Sequence, residues 1–294
     1  MKVYLDHNVL VGIAGHPRWP DADVELMRLV NLAHSGVQWV VSSMHVYELA
    51  RSGDDENVRE YCELVELMRP TWANNPLAVR RDELRRFLAK LNDVPTQGLS
   101  NVRPFSDTLA QMWASYSGVV FINDTFTKAV QCQRTNPQIR SAIEQAARQT
   151  AESISTCRRA QREGHLKAID PTVNAQLFAG LIGCDIADPR VPQLVSRIGE
   201  VHAACRMLAV EDVLSDVRAK DSFRPKESHA PDFQHALSAL SYCDGFVADD
   251  KNLLEHCRIV VNKLGLARQL VKRIGDLVVL PGSQGGVKGP ASSA

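Results

Sequence analysis

Charge of one sign is missing from this chain. Its 34 lysines and arginines are matched by 34 aspartates and glutamates, giving a net charge of +0 over 294 residues. The molecule as a whole attracts no polyanion, so any nucleic acid has to be held by local basic patches. Paired cysteines are missing too. The seven (Cys62, Cys132, Cys157, Cys184, Cys205, Cys243 and Cys257) are odd in number and contain no Cys-x-x-Cys spacing. That argues against a disulfide frame or zinc site and for reduced, packed thiols in a cytoplasmic protein. No apolar run approaches a membrane span, and no charged, apolar, small-residue leader precedes Asp6, so no membrane partner is expected. No internal repeat and no convincing nucleophile triad are visible. With 45% apolar and 23% charged residues the composition is that of a soluble globular protein, long enough for one large domain or two smaller ones.

What is present is a set of acids placed after strand-like runs. Asp6 ends Val3-Tyr4-Leu5, and Glu48 follows Val40-Val41-Ser42-Ser43 by a short helical stretch. Asp232 opens the helical pattern Asp232 to Leu237, and Asp250 follows Phe246-Val247-Ala248-Asp249. Each run is short, β-branched or aromatic, and ends in polar residues, as strands of an open α/β sheet do. In a parallel sheet such strands bring their C-terminal ends to one edge, where ligands bind. Carboxylates gathered there raise one another's pKa and call for a cation. Mg²⁺ or Mn²⁺ would relieve that repulsion and bring phosphodiester chemistry with it.

The pattern also predicts the organisation. Asp21 to His34 is an amphipathic helix crossing to a strand at Val37 to Val41, and Glu48 rides on a helix from Met44 to Arg51. Gly53-Asp54-Asp55 caps a helix from Glu56 to Met68, Arg69 to Ala73 reads as a strand limited by Pro70, and Asp82 to Leu91 as a helix. From residue 94 the pattern changes: Pro95, Gly98 and Pro104 lead into helical stretches at Asp107 to Tyr116, Pro137 to Arg162, Pro171 to Leu181 and Val191 to Met207. The expected division is a core in two parts, 1–93 and 226–281, an all-helical insertion at 94–225, and a disordered Gly/Ser/Ala tail at 282–294. Leu177, Phe178, Leu181 and Ile182, like Val191, Leu194, Val195 and Ile198, cover a wide apolar arc that must be buried in a local bundle or between subunits. A helical cap beside the acids and a homodimer are expected from this.

Val3-Tyr4-Leu5-Asp6-His7-Asn8-Val9-Leu10, Ser42-Ser43 through Tyr47-Glu48-Leu49, Asp232-Phe233-Gln234-His235-Ala236 and Phe246 through Leu253 occur in the order and strand contexts of four known motifs. In these the chain resembles the PIN-domain nucleases, over its first ninety or so residues and its last seventy. The resemblance implies a PIN-like parallel sheet flanked by helices and a Mg²⁺- or Mn²⁺-dependent endonuclease, acting on single-stranded RNA or alternatively on DNA. Carried onto this sequence, it implies catalytic roles for Asp6, Glu48, Asp232 and Asp250, with Asp6, Asp232 and Asp250 as metal ligands. Glu48 would bind a second ion or orient the attacking water. Asn8, Asp249 and Asn252 would support the site. Ala248 departs from the pattern by removing a hydroxyl, and Asn252 stands where many members carry another Asp.

Plainer readings stand beside these. An Asp just after Pro231 is an ordinary helix cap, Glu48 alone an ordinary surface glutamate, and His7 a histidine bonded to backbone. Arg80, Arg81, Arg85 and Arg86 on one helix, and Arg158, Arg159, Arg162 and Lys167 on another, suit phosphate oxygens. Interleaved acids give the same helices the look of solvated faces. Lys220 to Lys226, with Phe223, Arg224 and Lys226, is a basic-aromatic lead into Asp232. Nucleic-acid contacts are therefore expected at Arg80, Arg81, Arg224 and Lys226. Two other classes remain open: a catalytically inactive PIN-like binding or scaffold protein, with a protein regulator as a possible partner, and a phosphoryl-transfer enzyme using an Asp nucleophile.

Overall fold

The computed structural model describes residues 1–15, 19–93, 101–116, 125–136, 171–220 and 229–279, with isolated positions 138, 141 and 145. The tail at 282–294, nearly all of the helical pattern Pro137 to Arg162, and Arg224 and Lys226 lie outside the described residues.

The short β-branched runs become one six-stranded sheet: β1 (Lys2–Leu5), β2 (Gln38–Ser42), β3 (Thr71–Ala73), β4 (Phe105–Ser106), β5 (Gly245–Val247) and β6 (Gln269–Val271). Their order is β4-β3-β2-β1-β5-β6, parallel throughout except for the antiparallel pair β3/β4. The protein is thus α/β, with a mostly parallel sheet covered by helices. The chain runs outward from β1 through β2 to β3, then crosses back to β5 on the other side of β1. The strand order thus reverses direction between β1 and β5, and such a switch point at the C-terminal edge of the sheet is where open α/β sheets bind ligands.

Thirteen α-helices are described: α1 (His7–Ile13), α2 (Ala22–His34), α3 (Ser43–Ala50), α4 (Asp55–Met68), α5 (Pro76–Leu91), α6 (Leu109–Ala114), α7 (Phe126–Thr135), α8 (Pro171–Ile182), α9 (Arg190–Ser196), α10 (Ile198–Ala204), α11 (Arg206–Lys220), α12 (His229–Tyr242) and α13 (Lys251–Leu264). None of them is long and apolar enough to cross a membrane. Their ends follow local chemistry. Asp54 caps α4 by accepting from the N–H groups of Glu56 and Asn57, and α4 stops at Arg69, in the left-handed region at φ 46°, just before Pro70. Pro70 also delays β3 to Thr71. Asn75 caps α5 with Pro76 at its first position, so this helix starts six residues before the expected Asp82.

Alternate residues of each strand feed two cores. Val3, Leu5, Trp39, Val41 and Trp72 pack under α1, α3, α4, α6 and α7. Tyr4, Val40, Ala73 and Phe246 pack under α11, α12 and α13. Strands buried on both faces are what a covered parallel sheet requires, and each large apolar side chain so buried contributes about 1.5–3 kcal/mol. A third cluster joins α5 to α8, α9 and α10 through Leu84, Leu88, Phe178, Leu181, Leu194 and Val201. Most of the wide apolar arcs seen in the sequence is thus covered in a bundle against α5, with Ile182, Val195 and Ile198 partly buried and Leu177 left exposed.

The stretch 94–225 departs from an all-helical insertion. It contributes β4, whose Phe105 and Ser106 pair with Ala73 and Trp72, while α6, α7 and α11 share the two cores of the sheet. The expected helix Val191 to Met207 is broken at Arg197 and Cys205 into α9, α10 and the start of α11. The second break has a tertiary cause: buried Glu83 of α5 accepts from the Met207 N–H through both oxygens, at 3.1 and 3.2 Å, and so caps α11 from another helix.

Candidate functional site

Strand register places the acids. Leu5 lies opposite Val247, and the Asp6 N–H donates to the Val247 carbonyl at 2.9 Å, so Asp6 and the Asp249-Asp250 pair leave the sheet side by side. Asp6 occupies the N-cap position of α1, yet its side chain makes no capping bond. It is 1% exposed, and its Oδ2 has no hydrogen-bond partner. Burial pushes this carboxyl up from 3.8 to about 7; His235 opposes the rise, while Glu48 and Asp232 add to it. Asp232 is pushed up by burial to about 6, with His235 and Arg218 opposing and Glu48 and Asp250 adding.

Asp6, Glu48 and Asp232 therefore feel one another's charge, and Asp250 joins them through Asp232. They arrive from four segments: the end of β1, the middle of α3, the first turn of α12 and the loop after β5. Asp232 does not open its helix. α12 begins at His229, because Pro231 fits a first turn, where its missing N–H has no intrahelical use. The helix-capping acid is Asp250, whose Oδ1 accepts from the N–H groups of Asn252 and Leu253 at 2.7 and 2.9 Å. Among the described residues no three His, Cys, Asp or Glu side chains stand close enough to ligate one ion as placed.

A buried polar chain backs the acids. Nε2 of His235 is 2.7 Å from Oε2 of Glu48, and its Nδ1 is 2.7 Å from the Tyr4 hydroxyl, which donates to Ser42 Oγ at 2.7 Å. Burial disfavours a charged His235, but the Glu48 carboxylate in contact with it, together with Asp6 and Asp232, outweighs burial and raises its pKa. Glu48 is shifted the opposite way: burial pushes it up, and His235 pulls it below its ordinary value. The two directions agree on an imidazolium–carboxylate pair. His45, edge-on to His235 with ring centroids 4.7 Å apart, is held neutral by burial and by that neighbouring charge. Its Nε2–H donates to the Leu5 carbonyl at 2.8 Å, and its Nδ1 accepts from the Ser42 N–H at 3.0 Å. His7 is also pushed down by burial and lies 3.2 Å from the Tyr61 hydroxyl; its partner is thus a side chain and not backbone.

The supporting positions separate. Asn8 and Asn252 are exposed in the first turns of α1 and α13. Asp249 lies 3.9 Å from Arg273, whose guanidinium stacks 3.6 Å above the Trp19 ring. Ala248, where a hydroxyl was expected to be missed, is fully buried in the second core. The arginine pair divides as well. Arg80 is taken up in an ion pair with Glu211 that ties α5 to α11. Arg81 lines a cleft of about 620 Å³ beyond the end of β3, with Asn74, Asp82, Arg103, Ser106 and Asp107.

Tyr4, His45, His235 and Arg273 had no assigned role in the sequence. For His235 a signal existed: it stands three residues after Asp232 on one helix, a spacing that puts both on one face. For Arg273 no local signal exists, since its partners come from residues 19 and 249. Comparison with protein-family profiles, with characterised proteins and with solved structures finds no match to this chain.

Proposed function

We propose that the protein is a divalent-metal-dependent endonuclease of PIN-like fold that hydrolyses phosphodiester bonds in single-stranded RNA. The observation that carries this reading is Asp6: a buried carboxylate oxygen without a partner, in a carboxyl held near 7 beside Glu48 and Asp232 at a topological switch point. A carboxylate so placed is unsatisfied within the protein, and a hard cation is the ligand that suits it. Asp6, Asp232 and Asp250 would hold Mg²⁺ or Mn²⁺, which when bound supplies Lewis acidity for the hydrolysis. Glu48 has Oε2 on His235, leaving Oε1 to orient the attacking water. Arg81 in its cleft by β3 and Arg273 beyond β6 offer guanidinium groups to flanking phosphates on either side of the acids.

One observation favours a second reading, an inactive PIN-like binding protein: Glu48 and Asp250 already spend an oxygen each on His235 and on the cap of α13. Incubating the full chain with labelled single-stranded RNA and DNA, with Mg²⁺ or Mn²⁺ and with chelator, separates the two. Cleavage of RNA that chelator stops and Asp6→Asn abolishes is expected. Binding without cleavage under every metal condition would establish the inactive reading.

A further inference from the structure

Glu48 projects from α3 as a flexible side chain whose carboxylate is partly open to solvent, at 20% exposure, yet it is fixed at one oxygen. The group that fixes it, His235, is fully buried and has both ring nitrogens engaged, Nε2 on Glu48 and Nδ1 on the Tyr4 hydroxyl. Tyr4 is itself buried and bonded. It lies in the centre of β1 at 0% exposure, with its hydroxyl donating to Ser42 Oγ at the end of β2. Ser42 Oγ in turn accepts from the Met44 N–H as the cap of α3, the helix that carries Glu48. The chain Ser42, Tyr4, His235, Glu48 thus starts at the root of α3 and returns to its middle by way of β1 and α12.

We propose that His235 is the positioning residue of the site, holding Oε2 of Glu48 so that Oε1 alone faces the reacting groups, with Tyr4 as its buttress. This rests on the nuclease reading above. An imidazole ring bonded at both nitrogens has its plane and orientation set from behind, as the outer partners of active-site ligands do. His235 reaches neither substrate nor ion. Its effect passes through Glu48, so its loss acts on turnover more than on RNA binding.

The activity test uses the full chain and two substitutions that leave the acids in place. His235→Gln keeps an amide donor for Glu48 without the second nitrogen, and Tyr4→Phe removes only the buttressing hydroxyl. Replacing outer partners of this kind lowers activity about tenfold to a hundredfold. His235→Gln is expected to lower kcat by about that factor with KM for RNA unchanged, and Tyr4→Phe by less. In a His235→Gln background Tyr4→Phe should have no further effect on kcat, because its route to Glu48 has gone. A readout independent of activity is the far-downfield proton NMR signal of the His235 ring N–H bonded to Glu48, which Glu48→Gln should shift or remove. Additive effects of the two substitutions on kcat, or a downfield signal indifferent to Glu48→Gln, would overturn the role. If wild type does not cleave RNA, the nuclease reading falls and this role with it. If wild type cleaves and Tyr4→Phe matches it in kcat, this role alone falls.

Discussion

Replacing Asp6 by Asn should make the metal-free protein more stable, and only at neutral and alkaline pH. The folded-state carboxyl titrates near 7 against an ordinary 3.8, because burial and the acids beside it outweigh the help of His235. Between those values the native state binds a proton that the unfolded chain does not. Wild-type stability is therefore complete below about pH 4 and is lost as pH climbs through 7. A difference of about three pH units at about 1.4 kcal/mol each sets a ceiling near 4 kcal/mol for the penalty at pH 8. Asn has nearly the same shape and no charge, so it removes that penalty. With local hydration of the ionised group relieving part of it, the variant should gain roughly 2–4 kcal/mol at pH 8, or roughly 4–8 °C in Tm, and nothing at pH 4. Thermal unfolding of both proteins in chelator, from pH 4 to 8.5, measures this directly. Saturating Mg²⁺ should then stabilise wild type at pH 8 by mass action, by about 2.7 kcal/mol at a hundred times Kd, and the variant by less. A Tm difference that does not change with pH, or an Asn variant less stable than wild type at pH 8, would refute the reasoning.

Asp250 serves two purposes that a pair of substitutions separates. Asp250→Asn keeps a good cap for α13 and should retain stability while losing cleavage, whereas Asp250→Ala should also lose about 0.5–2 kcal/mol in urea unfolding. Gly12→Ala places a Cβ into the Trp19 indole that packs on α1, and should destabilise by roughly 1–3 kcal/mol on the same measurement. Addition of Mn²⁺ to weakly buffered protein at pH 6 should release between about one and two protons per chain, because an ion held by Asp6 and Asp232 displaces the protons these carboxyls carry there. Binding without proton release would place the ion elsewhere.

The sheet was legible because its strands are short β-branched runs with polar ends, so that Val3 to Leu5, Val40 and Val41, and Phe246 and Val247 declare themselves residue by residue. The helix start at Asp54 was legible from its local cap, whereas the start of α5 was missed although Asn75 and Pro76 signal it locally. The start of α11 had no local signal at all: Glu83 caps it from a position more than 120 residues away in sequence. β4 was hidden for the same reason. Phe105 and Ser106 form a strand only because Ala73 and Trp72 offer an edge. Asp6 and Asp250 were legible as carboxylates just past strands, while Glu48 and Asp232 ride on helices, and the environment of none of the four was legible. Asp6 and Asp250 look alike in sequence, one residue and three residues past a strand. The structure leaves Asp6 buried and without a capping bond while Asp250 is exposed and spent on a cap. Burial decides which carboxylate is raised, and burial is a property of the assembled cores.

Clustered carboxylates call for a cation, and the structure supplies part of one from within. His235, pulled toward its charged form by Glu48, Asp6 and Asp232, sits fully buried among them and offsets their repulsion. The proton retained by Asp6 at neutral pH offsets more. The fold therefore tolerates its acids without an ion, which is why acid clustering alone does not separate an active nuclease from an inactive relative. What separates them is how the two internal devices respond. The His235–Glu48 pair, bonded at 2.7 Å and buttressed by Tyr4, survives the arrival of an ion because it involves only one oxygen of Glu48. The Asp6 proton does not, since a divalent ion and a proton compete for the same carboxylate. On the proposed nuclease reading, binding of the ion turns on whether the charge gained at Asp6 exceeds the cost of removing that proton. The penalty falls as pH rises toward 7, so binding of an ion and loss of apo stability strengthen together over the same range.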